Sequence, residues 1–88
     1  KMLESRKITM GIRPEHIIVS RERRPEWIQM KCALVERLGT LHLLHLRRGA
    51  VEFKAKTKIF EIHEGDDIWV YFPEEKIRIF DEEGKLVY

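Results

Sequence analysis

Asparagine is absent from these 88 residues, glutamine occurs once, at Gln29, and cysteine once, at Cys32. One cysteine excludes an internal disulfide, and its apolar neighbours suit a buried, inert thiol in a reducing compartment. No apolar run approaches the ~18 residues that a membrane-crossing helix needs, and no signal-peptide pattern opens the chain. Glycine stands at 11, 39, 49, 65 and 84 only, and of these Gly84 alone precedes a lysine, with Ile79 where the first glycine of a phosphate loop belongs. A Walker A loop, whose backbone amides must wrap phosphates, is therefore missing. A large excess of one charge is lacking too. Seventeen Lys and Arg against fifteen Asp and Glu leave +2, which exerts little long-range pull on nucleic acid or anionic lipid.

What is present is 43% hydrophobic and 36% charged, the composition of a folded domain. Residues 1–88 make one domain, long enough to bury ~60–65% of its unfolded surface. Abundant Lys, Arg and Glu beside scarce amides fit a thermophile. The opening residue, Lys1, carries the expectation of a piece cut from a longer protein. Arg21, Arg23 and Arg24, and again Arg47 and Arg48, read as solvated turns.

The apolar pattern has period two almost throughout. Residues 7–13 alternate, with Ile8, Met10 and Ile12 on one face, and Pro14 ends that strand. Residues 17–20 form a second strand. Residues 27–38 form the longest, with Ile28, Met30, Cys32 and Leu34 on one face until the phase slips at Val35, as at a β-bulge that coils a sheet toward closure. A second slip is read in residues 41–47, from Leu41 and Leu43 to Leu44 and Leu46. Arg48-Gly49 signals a hairpin into a strand with Val51, Phe53 and Ala55 inward. In residues 67–72, Ile68, Val70 and Phe72 face one way, Trp69 and Tyr71 the other. Residues 73–76 suit a single helical turn, 77–80 a strand and 86–88 a return. No internal repeat is evident. The expected core is Ile8, Met10, Ile12, Ile28, Met30, Leu34, Val51, Phe53, Ile68 and Val70. Turn signals spaced by ~8–12 residues indicate an all-β sandwich or barrel of five or six strands.

Candidate chemistry is thin. His42 and His45, three apart on a strand, point to opposite faces, and His16 and His63 have no ligand-spaced neighbour. Glu74-Glu75 and Glu82-Glu83 fall in turns with no nucleophile beside them. No catalytic, metal or cofactor residue is assigned. Trp69 and Tyr71, with Trp27, raise the alternative of an OB-fold module for single-stranded nucleic acid. The nearly neutral charge argues against it.

Four blocks in order carry a resemblance. They are Gly11-Ile12-Arg13-Pro14-Glu15-His16, Val35-Glu36-Arg37-Leu38-Gly39, Glu64-Gly65-Asp66, and Phe72-Pro73-Glu74-Glu75-Lys76-Ile77 running on to Phe80-Asp81 and Gly84. Together they resemble the transport-associated OB (TOBE) domains of ABC importer ATPase subunits, especially the maltose-type sugar branch. The resemblance implies a small OB-like antiparallel barrel, incomplete at its N-terminus because only residues 1–6 precede the first block. It implies a regulatory and dimerisation domain without ATPase activity of its own, ATP and Mg belonging to the parent's ATPase domain. The partners implied are that ATPase domain, a second copy, the membrane permease subunits and a regulatory protein, at the cytoplasmic face of the membrane. Gly11, Arg13, Pro14, Glu15, His16, Glu36 and Gly39 are the signature residues at a possible interface. For the first block, packing at Gly11 and a corner fixed by an Arg13 ion pair are weighed beside that interface. An open barrel edge would favour self-association.

Overall fold

The alternation read from the sequence becomes seven β-strands and two 3-10 turns in the computed structural model, which describes residues 9–59 and 61–87. The strands are β1 (Thr9–Gly11), β2 (Ile18–Ser20), β3 (Ile28–Leu38), β4 (Leu41–Arg48), β5 (Val51–Thr57), β6 (Asp67–Tyr71) and β7 (Arg78–Phe80). One 3-10 turn, Pro14–His16, joins β1 to β2, and the other, Glu74–Lys76, joins β6 to β7. All pairing is antiparallel, in a five-stranded sheet of order β2-β6-β3-β4-β5 and a two-stranded sheet of β1 and β7. The larger sheet curls until its edge strands β2 and β5 touch, and the first 3-10 turn lies against β5. That curl makes the domain an OB-like barrel.

The bulge in β3 is real and sits slightly earlier than the apolar phase indicates. Cys32 pairs with Leu46 and Leu34 with His45, so Ala33 is the extra residue. On the other edge of β3, just past its last pair with β6 (Lys31↔Asp67), the Cys32 N–H donates to the Asp66 carbonyl at 2.8 Å, and the Gly65 N–H donates to the Cys32 carbonyl at 2.7 Å. These two bonds tie the Glu64-Gly65-Asp66 turn to the barrel wall. Cys32 is buried as expected.

The core comprises Ile17, Met30, Cys32, Leu44, Leu46, Ala55, Ile62, Ile68 and Val70, with Ile12, Val19, Val35, Phe53, Ile59 and Phe72 packed around it. Of the expected core, Met30, Ile68 and Val70 are buried and Ile12 and Phe53 pack on the cluster, whereas Ile8 lies outside the described residues. Met10, Ile28, Leu34 and Val51 are corrected: they stand 36 to 51% exposed. Leu34 follows the bulge, which turns it outward and brings Val35 in. Ile28 and Val51 oppose Val70 and Arg48 on the inward phase but sit at the open barrel mouth, over a cleft of about 520 Å3 floored by Met30, Phe53 and Phe72. Met10 belongs to the two-stranded sheet, where only Ile79 stands opposite.

The second slip, in β4, is also corrected. Pairing with β5 runs unbroken from His42↔Thr57 to Arg48↔Val51. The inward residue at the supposed slip is His42, 2% exposed, with its Nε2 3.3 Å from Arg37 Nη1. Leu41 and Leu43 are simply outer-face residues.

A short repeat, absent from the sequence reading, emerges in three dimensions. Residues 9–20 and 69–80 are both strand, 3-10 turn, strand, and they exchange partners. Thr9, Met10 and Gly11 pair with Phe80, Ile79 and Arg78. Trp69, Val70 and Tyr71 pair with Ser20, Val19 and Ile18. Each residue of the first unit therefore matches the one sixty positions later, and the two units are related by a local two-fold axis. Arg13 corresponds to Pro73, His16 to Lys76 and Ile18 to Arg78.

Candidate functional site

Local chemistry shapes the first signature block. A residue before proline is pushed toward extended geometry, and Arg13 has φ −71° and ψ 142°. Pro14, with no N–H to leave unsatisfied, opens the 3-10 turn. The His16 N–H donates to the Arg13 carbonyl at 2.9 Å, and the Ile17 N–H reaches the Pro14 carbonyl at 3.4 Å. Ile17 then enters the core, 3% exposed, which anchors the turn. Gly11 has its own reason. A Cβ built there would lie 3.1 Å from Phe80 Cε2, tighter than ordinary contact, so the ring of β7 would have to give by a few tenths of an ångström to admit a side chain.

These residues line one surface cleft of about 580 Å3. Its walls are Gly11, Ile12, Arg13, Pro14 and His16 from the first unit and Lys76, Arg78 and Phe80 from the second. Gly11, Arg13, Pro14 and His16 are thus brought together, while exposed Glu15 is not among the walls. The Arg13 ion pair weighed from the sequence is not formed: its guanidinium has no hydrogen bond or ion pair among the described residues. Arg78 Nη1 donates to the carbonyls of Glu75 at 3.1 Å and Ile77 at 3.0 Å, which pins that side chain to the second turn. Sequence reasoning missed Lys76, Arg78 and Phe80 as neighbours of the signature. Their signal was the strand–turn–strand echo sixty residues on, too degenerate in residue identity to see.

Glu36 and Gly39 lie elsewhere, on the β3–β4 hairpin. Glu36 Oε2 is 2.5 Å from His45 Nε2, and Gly39 holds φ +69° in the turn, where a side chain would be strained. The seven signature residues therefore make two places, not one.

Among the described residues two groups have shifted titration, both outside the cleft. Burial pushes the Cys32 thiol upward, opposed by its contact with the Leu34 carbonyl. The Lys31 hydrogen bond, then that of Gln29, holds the Asp67 carboxyl below the usual carboxylate range, with Lys31 Nζ 2.8 Å from Asp67 Oδ1.

The aromatic candidates are partly occupied with one another. Trp27 stacks on Tyr71 at 5.6 Å between centroids and 26° between planes, and Arg24 Cζ lies 5.8 Å over the Trp27 ring. Trp69 is half-buried.

Comparison with known proteins agrees with this architecture. The TOBE domain family matches residues 10–80, from the β1–β7 pair at one end to the same pair at the other. The chain is 34% identical over 79 residues to the sn-glycerol-3-phosphate import ATP-binding protein UgpC of Escherichia coli O6:K15:H31 (strain 536 / UPEC). That alignment covers 89% of this chain and 22% of UgpC, so the chain spans about a fifth of that relative's length. With the matched residues taking in six of the seven strands whole and most of the seventh, the chain belongs to the TOBE domain family.

Proposed function

We propose that this domain is the regulatory and dimerisation end of the ATP-binding subunit of an ABC importer for sugars or a related polyol phosphate. The observation that carries the proposal is the likeness to an import ATP-binding protein across 89% of the chain, joined to the TOBE match. On this reading, ATP and Mg bind in an ATPase domain of the parent protein, and these 88 residues hydrolyse nothing themselves. The partners are that ATPase domain, a second copy of the subunit, the permease subunits and a regulatory protein, all at the cytoplasmic face of the membrane. Gly11, Arg13, Pro14, Glu15, His16, Glu36 and Gly39 contribute by shaping two exposed corners of the domain. The single-stranded nucleic-acid alternative has less support, because Trp27 and Tyr71 stack on each other and the net charge is +2.

The test has two arms. The coding sequence upstream of Lys1 should contain Walker A, Walker B and the ABC signature; a reading frame without them ends the assignment. The purified 88-residue chain should show no ATP hydrolysis above a heat-killed control, and it should sediment as a dimer at near-millimolar concentration. A monomer at all concentrations removes the dimerisation half of the proposal and leaves the regulatory half to the upstream sequence.

A further inference from the structure

The local two-fold axis makes two equivalent corners in this fold, and only one of them carries arginine, since His16 and Lys76 exchange places under it. The first corner holds Arg13 and Arg78, together with His16 and Lys76, around Gly11, Ile12, Pro14 and Phe80. At the second, the positions matching the two arginines are Pro73 and Ile18, and those matching Gly11 and Phe80 are Tyr71 and Ser20. The backbone does not require the arginines, since it builds the same corner without them.

Three further observations bear on what the basic corner takes. Among the described residues no carboxylate lines it: Glu15 and Glu75 belong to the same turns and are exposed, yet neither is among the walls. Other arginines are engaged, Arg21 with Glu61, Arg47 with Glu52 and Arg48 with the Gln29 carbonyl, while the side chains of Arg13, His16 and Lys76 have no hydrogen-bond or ion-pair partner among the described residues. Arg78 is held through Nη1 alone, which leaves its Nε and Nη2 donors for a ligand. The floor, by contrast, is apolar, made by Ile12, Pro14 and the Phe80 ring.

We infer that this corner is a docking site for an acidic segment of a partner protein, one carrying an apolar residue between carboxylates. The carboxylates meet Arg13, Lys76 and Arg78 at the rim, where paired forks of an arginine suit a carboxylate. The apolar residue lies on Phe80 and Pro14, over the bare backbone of Gly11. A small free anion would use the rim and leave the floor idle. This inference stands on the corner alone and does not depend on the importer assignment.

The test is a backbone amide NMR titration of the 88-residue chain with the synthetic peptide Asp-Glu-Leu-Phe-Glu-Asp. The controls are its Asn/Gln analogue, its analogue with Ser in place of Leu and Phe, and sodium phosphate at matched ionic strength. Shifts should saturate at Gly11, Ile12, His16 and Arg78, weaken about tenfold in the Arg13→Gln/Arg78→Gln variant, and persist in Arg21→Gln/Arg47→Gln, which removes equal charge elsewhere. Should the first variant unfold, the exposed Lys76→Gln substitution with a salt series serves in its place, with a smaller but still local loss. The inference is overturned by shifts that do not localise, by equal loss in both double variants, or by phosphate or the Ser analogue perturbing the same amides as strongly as the parent peptide.

Discussion

Gly11 and Phe80 are locked together: the Phe80 ring stands 3.1 Å from where a Gly11 Cβ would be. That contact closes the β1–β7 pair, seats one wall of the basic corner and explains why the signature block begins with glycine. Gly11→Ala should therefore cost about 1–3 kcal/mol through overpacking, with the Phe80→Leu change recovering much of it in the double variant. Urea melts of the two single variants and the double variant measure this. An additive result would show that the two positions do not touch.

Ile62 and Leu34 look alike in the sequence and should behave oppositely. Ile62 is fully buried in the core, whereas Leu34 stands 41% exposed behind the bulge. Truncating Ile62 to Ala should destabilise by about 2–5 kcal/mol, and the same change at Leu34 by about 0.5 kcal/mol or less. Denaturant midpoints separate the two. A large loss at Leu34 would place it inward and remove the bulge.

Cys32 should be chemically quiet. Burial raises its thiol pKa, so at neutral pH a thiol-specific disulfide reagent should label the folded chain far more slowly than the chain in urea. The sign for stability follows from a folded-state pKa above the unfolded one. The contribution is complete below the unfolded thiol pKa and is lost as pH rises through the folded value, so Cys32→Ser should flatten the alkaline limb of a stability–pH curve.

Asp67 gives the opposite limb. Its carboxyl is depressed chiefly by the Lys31 hydrogen bond and then by that of Gln29, so its contribution is present above the unfolded carboxylate pKa and lost as pH falls through the folded one. Lys31→Met should move the Asp67 titration, followed by side-chain NMR, upward toward the ordinary range. Both groups are exposed, so salt should screen the effect and stability should change little.

Much of this molecule was legible because strand chemistry is local. Period-two alternation marks strands wherever one face is buried, and it located β2 to β7 with errors of about a residue at most ends. The pre-proline restriction at Arg13 and the helical turn at residues 73–76 are likewise local facts. Where the reading failed, the cause was not local. Leu34 needed the register across β3 and β4, Ile28 and Val51 needed the position of the barrel mouth, and Ile62 lies in a segment with no regular pairing of its own. The buried His42 was hidden by outer-face leucines that imitated a phase slip.

The sequence by itself determined the all-β class, the order of turns, the lack of a phosphate loop and the family likeness, because composition, period and motif order need no partner in space. Only the tertiary structure decided that residues 9–20 and 69–80 exchange strands about a local axis, since antiparallel pairing between segments sixty apart leaves no trace in either segment alone. It was the same pairing that carried Lys76 and Arg78 to the side of Arg13 and His16. A cluster of like charges drawn from opposite ends of a chain exists only once the backbone hydrogen bonds between them are made.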